Sequence, residues 1–343
     1  MRDLTSRHEQ PAALLAVVCL AQFMVLLDVS IVNVALPSIQ HDLSFTTDSL
    51  QWVINSYTIT FGGLLLLGGR AADLFGQRRV FIAGTVLFAV ASLGCALAAS
   101  QGELLAARAA QGIGSALVSP ATLSIVTSSF AEGEERNRAV AAWAAMGALG
   151  GSLGALLGGL PTQTLGWPAI FAVNVPIGAV IVTGALRFVP PRQPAKRTGN
   201  LDLAGAVLVT LGLGAITYAV VRTGPLGWAS AGVLTPLIAG VALLAAFLIV
   251  EARVAKAPLV PLQVFRIERV SAGNLLVAVI YSGFFPMFFF LTLYLQSVLH
   301  YTPIETGLLF VPLGLAVFVM SILAPRFVAR FSPLRLVPLV DHQ

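Results

Sequence analysis

Residues 14–37 read LLAVVCLAQFMVLLDVSIVNVALP, and this stretch decides the fold class. It is apolar over more than the ~20 residues that a helix needs to cross about 30 Å of hydrocarbon. Asp28 is the only acidic residue well inside any long apolar stretch of the chain. A carboxylate within a bilayer is costly unless it is paired, protonated or in contact with water, so Asp28 is predicted to be a functional residue.

Comparable runs follow along all 343 residues, of which 57% are hydrophobic and 10% charged. A soluble domain carries about 25% charged residues. Backbone polar groups in lipid must be satisfied within the span, so each run is predicted to be a helix. The chain is therefore expected to be an all-α, polytopic membrane bundle with about ten transmembrane helices, at residues 12–36, 50–68, 80–99, 104–128, 139–160, 168–188, 202–221, 232–251, 270–295 and 303–325.

The basic residues predict the orientation. With the N-terminus inside and ten alternating helices, all of the 20 Lys and Arg residues fall on inner segments except Arg108 and Arg222. This bias is the one that cytoplasmic loops show. We therefore expect a multi-pass protein of the plasma membrane with a cytoplasmic N-terminus. The net charge of +5 follows from this topology, and nucleic acid is not an expected partner.

The metal-ligating residue types are scattered. Cys19 and Cys95 lie within spans, where apolar packing is the favoured interpretation, and the four histidines lie in loops or tails. Asp28 stands alone at membrane level, whereas a metal site needs a cluster of His, Cys or carboxylate ligands. We expect no metal, no cofactor and no enzymatic activity.

The first inner loop, residues 69–79, reads GRAADLFGQRR. Glycine permits a tight turn between antiparallel helices, and the acidic residue can pair with nearby arginines. The spacing resembles the G-x-x-x-D-x-x-G-R-[KR] loop between helices two and three of the major facilitator superfamily. That resemblance implies a gating loop made of Gly69, Arg70, Asp73, Gly76, Arg78 and Arg79.

Other motifs follow in the order expected of that superfamily's fourteen-helix drug:proton antiporters, the EmrB/QacA-type branch. Residues 27–37 resemble the first-helix motif, 108–114 the fourth-helix motif and 150–159 the fifth-helix antiporter motif. Residues 167–178 resemble the start of helix six, with Pro168 where arginine is usual, and 294–307 the loop after helix nine. Ala155 stands in place of the family's proline, which weakens the expectation of a sharp kink in helix five.

Glycines recur on one face of the fifth helix at Gly147, Gly151, Gly154 and Gly158. Small residues three or four apart let neighbouring helices approach closely. Ordinary tight packing explains this face, and so does the flexible or sealing face that the resemblance implies for exporters. The antiporter motif itself comprises Gly150, Gly154, Gly158 and Gly159.

Asp28 and Arg108 are predicted to lie at the same depth. At 1.5 Å per residue, Asp28 lies about 6 Å below the outer face on helix one, and Arg108 about 8 Å below it on helix four. A buried pair is expected, which the resemblance also implies. An arginine favours the charged carboxylate and desolvation the neutral one, so Asp28 and Arg108 are predicted to couple protons; a static ion pair between the helices is the alternative.

Candidate substrate contacts are weaker predictions, because each residue also suits simple packing. Polar, aromatic or soft side chains within helices one, two, four and five are predicted to line a cavity: Asn33, Asn55, Tyr57, Gln111, Trp143 and Met146. Helix nine adds a dense aromatic run that suits lipid contact or an aromatic wall for lipophilic cations, namely Phe284, Phe285, Phe288, Phe289 and Phe290.

The spacing of Arg70, Phe75, Gly76 and Arg79 recurs at Arg326, Phe331, Ser332 and Arg335, with Ala329 in place of Asp73. Helices nine and ten would then begin a second half. We predict an N-terminal six-helix half (1–189), a cytoplasmic linker (190–201), an inserted pair (202–251) and a truncated start of the C-terminal half (252–343).

The predicted function is proton-coupled efflux of multiple drugs or other lipophilic compounds across the inner membrane. The expected partners are the bilayer, protons and a small lipophilic or cationic substrate, and the proton gradient replaces a cofactor. Two alternatives remain: a truncated, non-transporting remnant or accessory membrane protein, and a proton-coupled metabolite transporter.

Overall fold

Helices make up the regular structure of the computed structural model, which describes residues 3–191, 201–254 and 262–330. Each of the ten predicted runs lies mostly in helical segments, although the run 80–99 continues past the helix that ends at Ala96. The all-α fold class is confirmed. The long helices are α1 (Asp3–Asp42), α2 (Trp52–Phe75), α3 (Gln77–Ala96), α4 (Gln101–Ser129), α5 (Glu134–Leu165), α6 (Asn174–Phe188), α7 (Leu203–Val221), α8 (Ala231–Ile249), α9 (Glu268–Leu293) and α10 (Pro303–Arg330).

Short helical turns join or extend them. Two of these, Thr47–Leu50 and Pro168–Ala172, lead into α2 and α6, and Thr223–Leu226 precedes the turn before α8. π-Helical turns extend α8 at Val250–Val254 and α9 at Tyr294–Val298.

Eight helical segments of the described chain are long and apolar enough to cross a membrane. A ninth is obtained when the two parts of α5, Glu134–Gly151 and Leu156–Leu165, count as one span. The apolar part of α10, Pro303–Val317, is shorter than these spans. The protein is thus a multi-pass membrane bundle, and the number of ten spans stays a prediction.

The two parts of α5 meet at 42°. The sequence left a sharp kink in doubt because Ala155 replaces a proline, yet α5 bends at this point. Gly151 is followed by Ser152, and Gly/Ser pairs are among the usual sites of helix kinks because they weaken the local backbone ladder.

Helix α1 is the central element of the first six. It packs against α4, α5 and α6, while α2 and α3 pack against α4. Most of its apolar window is buried, 61%, whereas only 6% is buried in the window that covers α9. Helices α7 and α8 pair with each other, α7 rests on α2, and α10 lies along α5.

Glycines set how closely α5 approaches α1. A Cβ atom built on Gly150 would meet the Phe23 carbonyl oxygen at 2.5 Å, and one on Gly154 would overlap the Ser30 hydroxyl. Gly158 is similarly close to Ile31, but Gly159 faces the start of α10. Nothing lies within 4 Å of a Cβ on Gly151, so this predicted member of the close-packed face does not belong to it.

Two predicted segments lie largely outside the described residues. Of the linker 190–201, the structure describes only 190, 191 and 201. The repeated positions Phe331, Ser332 and Arg335 fall in the undescribed stretch 331–343. The predicted division into halves and an inserted pair is not tested and stays a prediction.

Candidate functional site

Asp28 and Arg108 form an ion pair in the interior of the first six helices. The Arg108 Nη1 atom lies 2.5 Å from Asp28 Oδ2, and the two side chains are 1% and 0% exposed. Helix α1 supplies the carboxylate and α4 the guanidinium, so the structure brings together the two charges that were predicted at matching depth.

The other carboxylate oxygen of Asp28 accepts two further hydrogen bonds. Gln111 donates from Nε2 at 3.0 Å, and Asn174 donates from Nδ2 at 3.0 Å. Gln111 lies three residues after Arg108 and therefore on the same face of α4. Asn174 is the first residue of α6. Asp28 thus has hydrogen-bond donors on both oxygens, from two helices besides its own.

Arg108 is held at several of its nitrogen atoms. Its Nε donates to the Val53 carbonyl oxygen at 2.9 Å, and its Nη1 also donates to Gln111 Oε1 at 2.8 Å. The guanidinium carbon lies 4.4 Å from the ring centre of Tyr57 and 5.7 Å from that of Phe171. A buried ion pair is tolerated only when such contacts offset its desolvation.

Other buried polar groups extend the network. Gln111 Nε2 also donates to Ser92 Oγ at 2.6 Å, and Cys95 Sγ donates to Gln111 Oε1 at 3.2 Å. The Tyr57 hydroxyl is 2.7 Å from Ser115 Oγ. Side chains from α1, α2, α3, α4 and α6 therefore meet around one carboxylate. We call Asp28, Arg108, Gln111, Asn174, Ser92, Cys95, Tyr57 and Ser115 the buried polar network.

Sequence reasoning missed part of this network. Cys95 was assigned to apolar packing, but its thiol contacts the Gln111 carboxamide. Asn174 was noted only as part of the helix-six motif. An asparagine in an apolar helix start is a polar group that must find a partner, and this signal identifies Asn174 as a candidate. Ser92 and Ser115 carry no such signal, because serine is common at helix contacts in membranes.

Two cavities flank α1. The first has a volume of about 400 Å³ and lies toward α5, α9 and α10; the second, about 500 Å³, lies toward α2 and α9. Leu26, Val29 and Asn33 line both. No charged side chain of the described residues lines either cavity, and their polar groups include the carboxamides of Gln22, Asn33, Gln51 and Asn55.

The predicted substrate contacts are divided by these cavities. Asn33 lines both, Trp143 lines the first, and Asn55 and Tyr57 line the second. Gln111 is fully buried in the polar network, and Met146 lines neither cavity.

The aromatic run of α9 is also shared between the cavities. Phe284 and Phe288 line the first, where Phe288 lies 5.1 Å from Phe310 between ring centres. Phe289 and Phe290 line the second. The side chain of Phe285 lies outside the described part. Phe290 is also 67% exposed, so the aromatic wall and the lipid contact both stay predictions for this run.

The inner loop at residues 69–79 is organised differently. Gly76 ends α2 with φ +94°, a conformation that favours glycine. Arg78 donates from Nη2 to the Leu186 carbonyl oxygen at 2.5 Å, and a buried Nε of Arg70 has no hydrogen-bond partner. The expected pairing of Asp73 with these arginines is not found within the described chain, whose ion pairs do not include one between Asp73 and Arg70, Arg78 or Arg79.

Metal chemistry has no support in the described residues: they contain no group of three or more His, Cys, Asp or Glu side chains that could hold a metal ion.

Comparison with known proteins identifies a family. The family model described as Major Facilitator Superfamily matches residues 18–340. A cephamycin export protein of Amycolatopsis lactamdurans is 44% identical over 320 residues, which are 93% of this chain and 66% of the relative. A puromycin resistance protein of Streptomyces alboniger is 42% identical over 325 residues, 94% of this chain and 64% of the relative. The chain therefore spans slightly less than two thirds of either relative's length.

Among solved structures, that of a human organic anion transporter is similar with a TM-score of 0.60. The match covers 94% of this chain and 73% of that chain at 16% identity. At this level of identity the similarity shows the fold alone.

Proposed function

Because the chain belongs to the Major Facilitator Superfamily, we propose that it exports small lipophilic compounds across the plasma membrane in exchange for protons. In this proposal it is a member of the fourteen-helix drug:proton antiporter branch, with its N-terminus in the cytoplasm. The observation that carries the proposal is the Asp28–Arg108 ion pair, fully buried within the buried polar network.

The relatives support the direction and the class of cargo. Their names describe export of cephamycin and resistance to puromycin. Export is therefore favoured over uptake of a metabolite. This chain would share the export activity of these relatives.

Asp28 would carry the proton. Its carboxylate is completely buried and lies against the Arg108 guanidinium. Arg108 stays positioned throughout, because the Val53 carbonyl and the Tyr57 ring hold it independently of Asp28. Protonation would then remove one partner of a buried pair, and the resulting change in interaction between α1 and α4 would favour rearrangement of the bundle. The gradient of protons supplies the energy, and no cofactor is needed.

The cavities favour a lipophilic cargo. Aromatic and aliphatic side chains form most of both walls, and carboxamides supply neutral hydrogen bonds. A cationic cargo would contact the faces of aromatic rings, because the described lining contains no carboxylate. Asn33, on the wall common to both cavities, would contact cargo in either one.

The first test is efflux from cells that lack their own exporters. The chain would be compared with its Asp28→Asn variant, using ethidium as a lipophilic cation and Nile red as a neutral probe. We expect proton-dependent efflux in the parent and none in the variant. Asp48→Asn is the matched control, since Asp48 lies at the exposed start of a short helix and should leave efflux unchanged.

Two outcomes would contradict the proposal. Efflux by Asp28→Asn that still collapses with an uncoupler would mean that another group carries the proton and that the ion pair is static. Efflux by the parent equal to that of cells without it, with the protein present in the membrane, would favour an accessory or non-transporting role for this chain.

The cargo class has a separate test. Asn33→Asp adds a carboxylate to the wall that both cavities share, and we expect it to raise efflux of ethidium relative to Nile red. Gln40→Glu is the control: Gln40 lies on the same helix but does not line either cavity. An unchanged ratio in Asn33→Asp would argue against these cavities as the cargo site.

A further inference from the structure

We propose that Asn174 makes the neutral form of Asp28 possible, by turning its carboxamide over so that the oxygen accepts the new carboxyl O–H. The inference rests on the proposed function, since it requires Asp28 to bind and release a proton. It assigns to Asn174 a role as a positioning residue for the protonated state.

Within the described part of the chain, the side chains that form hydrogen bonds with the Asp28 carboxylate do so as donors. Arg108 donates to Oδ2, and Gln111 and Asn174 donate to Oδ1. An ionised carboxylate is an acceptor only, so this arrangement suits it, whereas a neutral carboxyl carries an O–H that needs an acceptor. Without rearrangement, a proton on Asp28 would face N–H groups in a site closed to water, which is unfavourable.

Only a carboxamide can change from donor to acceptor here. Arg108 has no acceptor atom. Gln111 has one, but its Oε1 already accepts from Arg108 at 2.8 Å and from Cys95 at 3.2 Å, and its Nε2 also donates to Ser92 at 2.6 Å. Turning Gln111 would break these contacts.

Asn174 is not held in this way. It is completely buried, and its Oδ1 atom has no hydrogen-bond partner among the described residues. Within the described chain, its side-chain hydrogen bond is the one that Nδ2 donates to Asp28. Turning the group by half a revolution therefore loses only a bond to the carboxylate, which protonation weakens in any case, and places the unpartnered oxygen where the carboxyl O–H needs it.

The proton balance is simple. A proton from water on one side forms the O–H bond of Asp28, and the same bond breaks to return a proton to water on the other side. Asn174 donates to the carboxylate before protonation and accepts from the carboxyl afterwards, and it neither gains nor loses a proton.

The other titratable groups that face Asp28 are few. They are Arg108 on α4, Tyr57 on α2 and Cys95 on α3. The charged residues of α5 lie within its first five residues and that of α6 lies in its last turn, whereas Asn174 begins α6. Asn174 is thus the neutral group whose orientation remains free to follow the proton.

Infrared difference spectra of the full chain in lipid vesicles, recorded between acid and neutral pH, would test the inference. The neutral Asp28 carboxyl band is assigned by its absence in Asp28→Asn. In Asn174→Leu we expect that band to move to the frequency of a weakly hydrogen-bonded carboxyl. The proton concentration for half-protonation should rise about tenfold, because the neutral form loses its acceptor, whereas the ionised form loses one donor but keeps those of Arg108 and Gln111.

Asn174→Ser should restore much of the wild-type titration, because a hydroxyl both donates and accepts. Asn274→Leu is the matched control: Asn274 is exposed on α9 and its amide donates to the Val270 carbonyl of the same helix, so the titration should not change. In wild-type chain with ¹³C-labelled asparagine, a carboxamide band should change together with the Asp28 band.

The inference is overturned if Asn174→Leu titrates like the wild type with an unshifted carboxyl band. If Asn174→Leu does not reach the membrane, a labelled carboxamide band that stays constant while Asp28 titrates overturns it equally. Loss of the inference alone leaves proton-dependent efflux, and its dependence on Asp28, intact. A wild-type Asp28 that gives no titrating band would instead remove the proposed coupling role and this inference together.

Discussion

The chain contains two groups of aspartate and arginine, one of which forms a buried ion pair while the other, in a loop, does not. Asp28 and Arg108 are buried in direct contact, and the side chains of Gln111 and Asn174 and the carbonyl of Val53 complete their hydrogen bonds. Asp73, near three arginines in sequence, makes no ion pair with them in the described chain, and Arg78 instead donates to a backbone carbonyl. Burial, rather than sequence proximity, therefore determines whether opposite charges pair here, because water solvates exposed loop charges and an ion pair between them gains little free energy.

The largest effect should come from removing one member of the buried pair. Arg108→Met would leave Asp28 without its cation in the interior, and we expect about 3–5 kcal/mol of destabilisation. The measurement is thermal unfolding of the purified protein in detergent. Arg79→Met, at an exposed position of the inner loop, should change stability by no more than ~0.5 kcal/mol.

An equal fall in unfolding temperature for both substitutions would contradict the idea that burial makes the Asp28–Arg108 pair more important for stability than the loop charges. The double variant Asp28→Asn/Arg108→Met removes both charges of the buried pair. We expect it to be more stable than Arg108→Met, since no buried charge is then left without a partner.

A smaller loss is expected from Gln111→Leu. It removes a donor to Asp28, an acceptor for Arg108 and the partner of Ser92. Because a buried polar group left without a partner costs about 1–3 kcal/mol, we expect a loss of that size in the free energy of unfolding. Thermal unfolding measures it. The control is Gln40→Leu, whose amide contacts Thr47 at 3.5 Å at the surface; an equal loss there would show that the network is no more sensitive than the surface.

In the inner loop, backbone conformation should matter more than charge. Gly76→Ala places a Cβ atom on a residue with φ +94°, and we expect a loss of about 1–2 kcal/mol in the free energy of unfolding. Gly69→Ala is the control within the same loop, because its Cβ would make only an ordinary contact of 3.6 Å with Pro120. Equal stability of the two variants would contradict the requirement for glycine at residue 76.

The smallest effect on stability should come from Asp73→Asn, within ~0.5 kcal/mol, because no ion pair of Asp73 is lost. Efflux of ethidium should be measured on the same variant. A loss of efflux at unchanged stability would support the gating role that the family resemblance implies for this loop. A drop in stability comparable to that of Arg108→Met would instead show that the loop charge is structurally coupled to the bundle.

The helices and the central pair could be predicted from the sequence because their causes are local or one-dimensional. Each apolar run specifies a helix without reference to its neighbours, and depth along a helix follows from residue number, which is how Asp28 and Arg108 were matched. The kink in α5 was underestimated because only proline was considered, although Gly151 and Ser152 are a recognised kink site.

The side chains around the pair could not be predicted in the same way. Asn174 and Cys95 reach the network because α6 and α3 are rotated toward α1 and α4, and helix rotation depends on packing along whole interfaces. For the same reason Gln111 belongs to the network rather than to a cavity, and Gly151 faces a cavity rather than α1.

The sequence by itself determined that this is a helical membrane protein in which Asp28 lies inside an apolar helix at the depth of Arg108, because hydropathy and helix rise act residue by residue. Only the tertiary structure decided which neutral groups complete that pair, which faces border the cavities and which loop charges remain unpaired. These depend on how helices pack against one another in three dimensions, where burial leaves a polar group no partner except the one that packing brings to it.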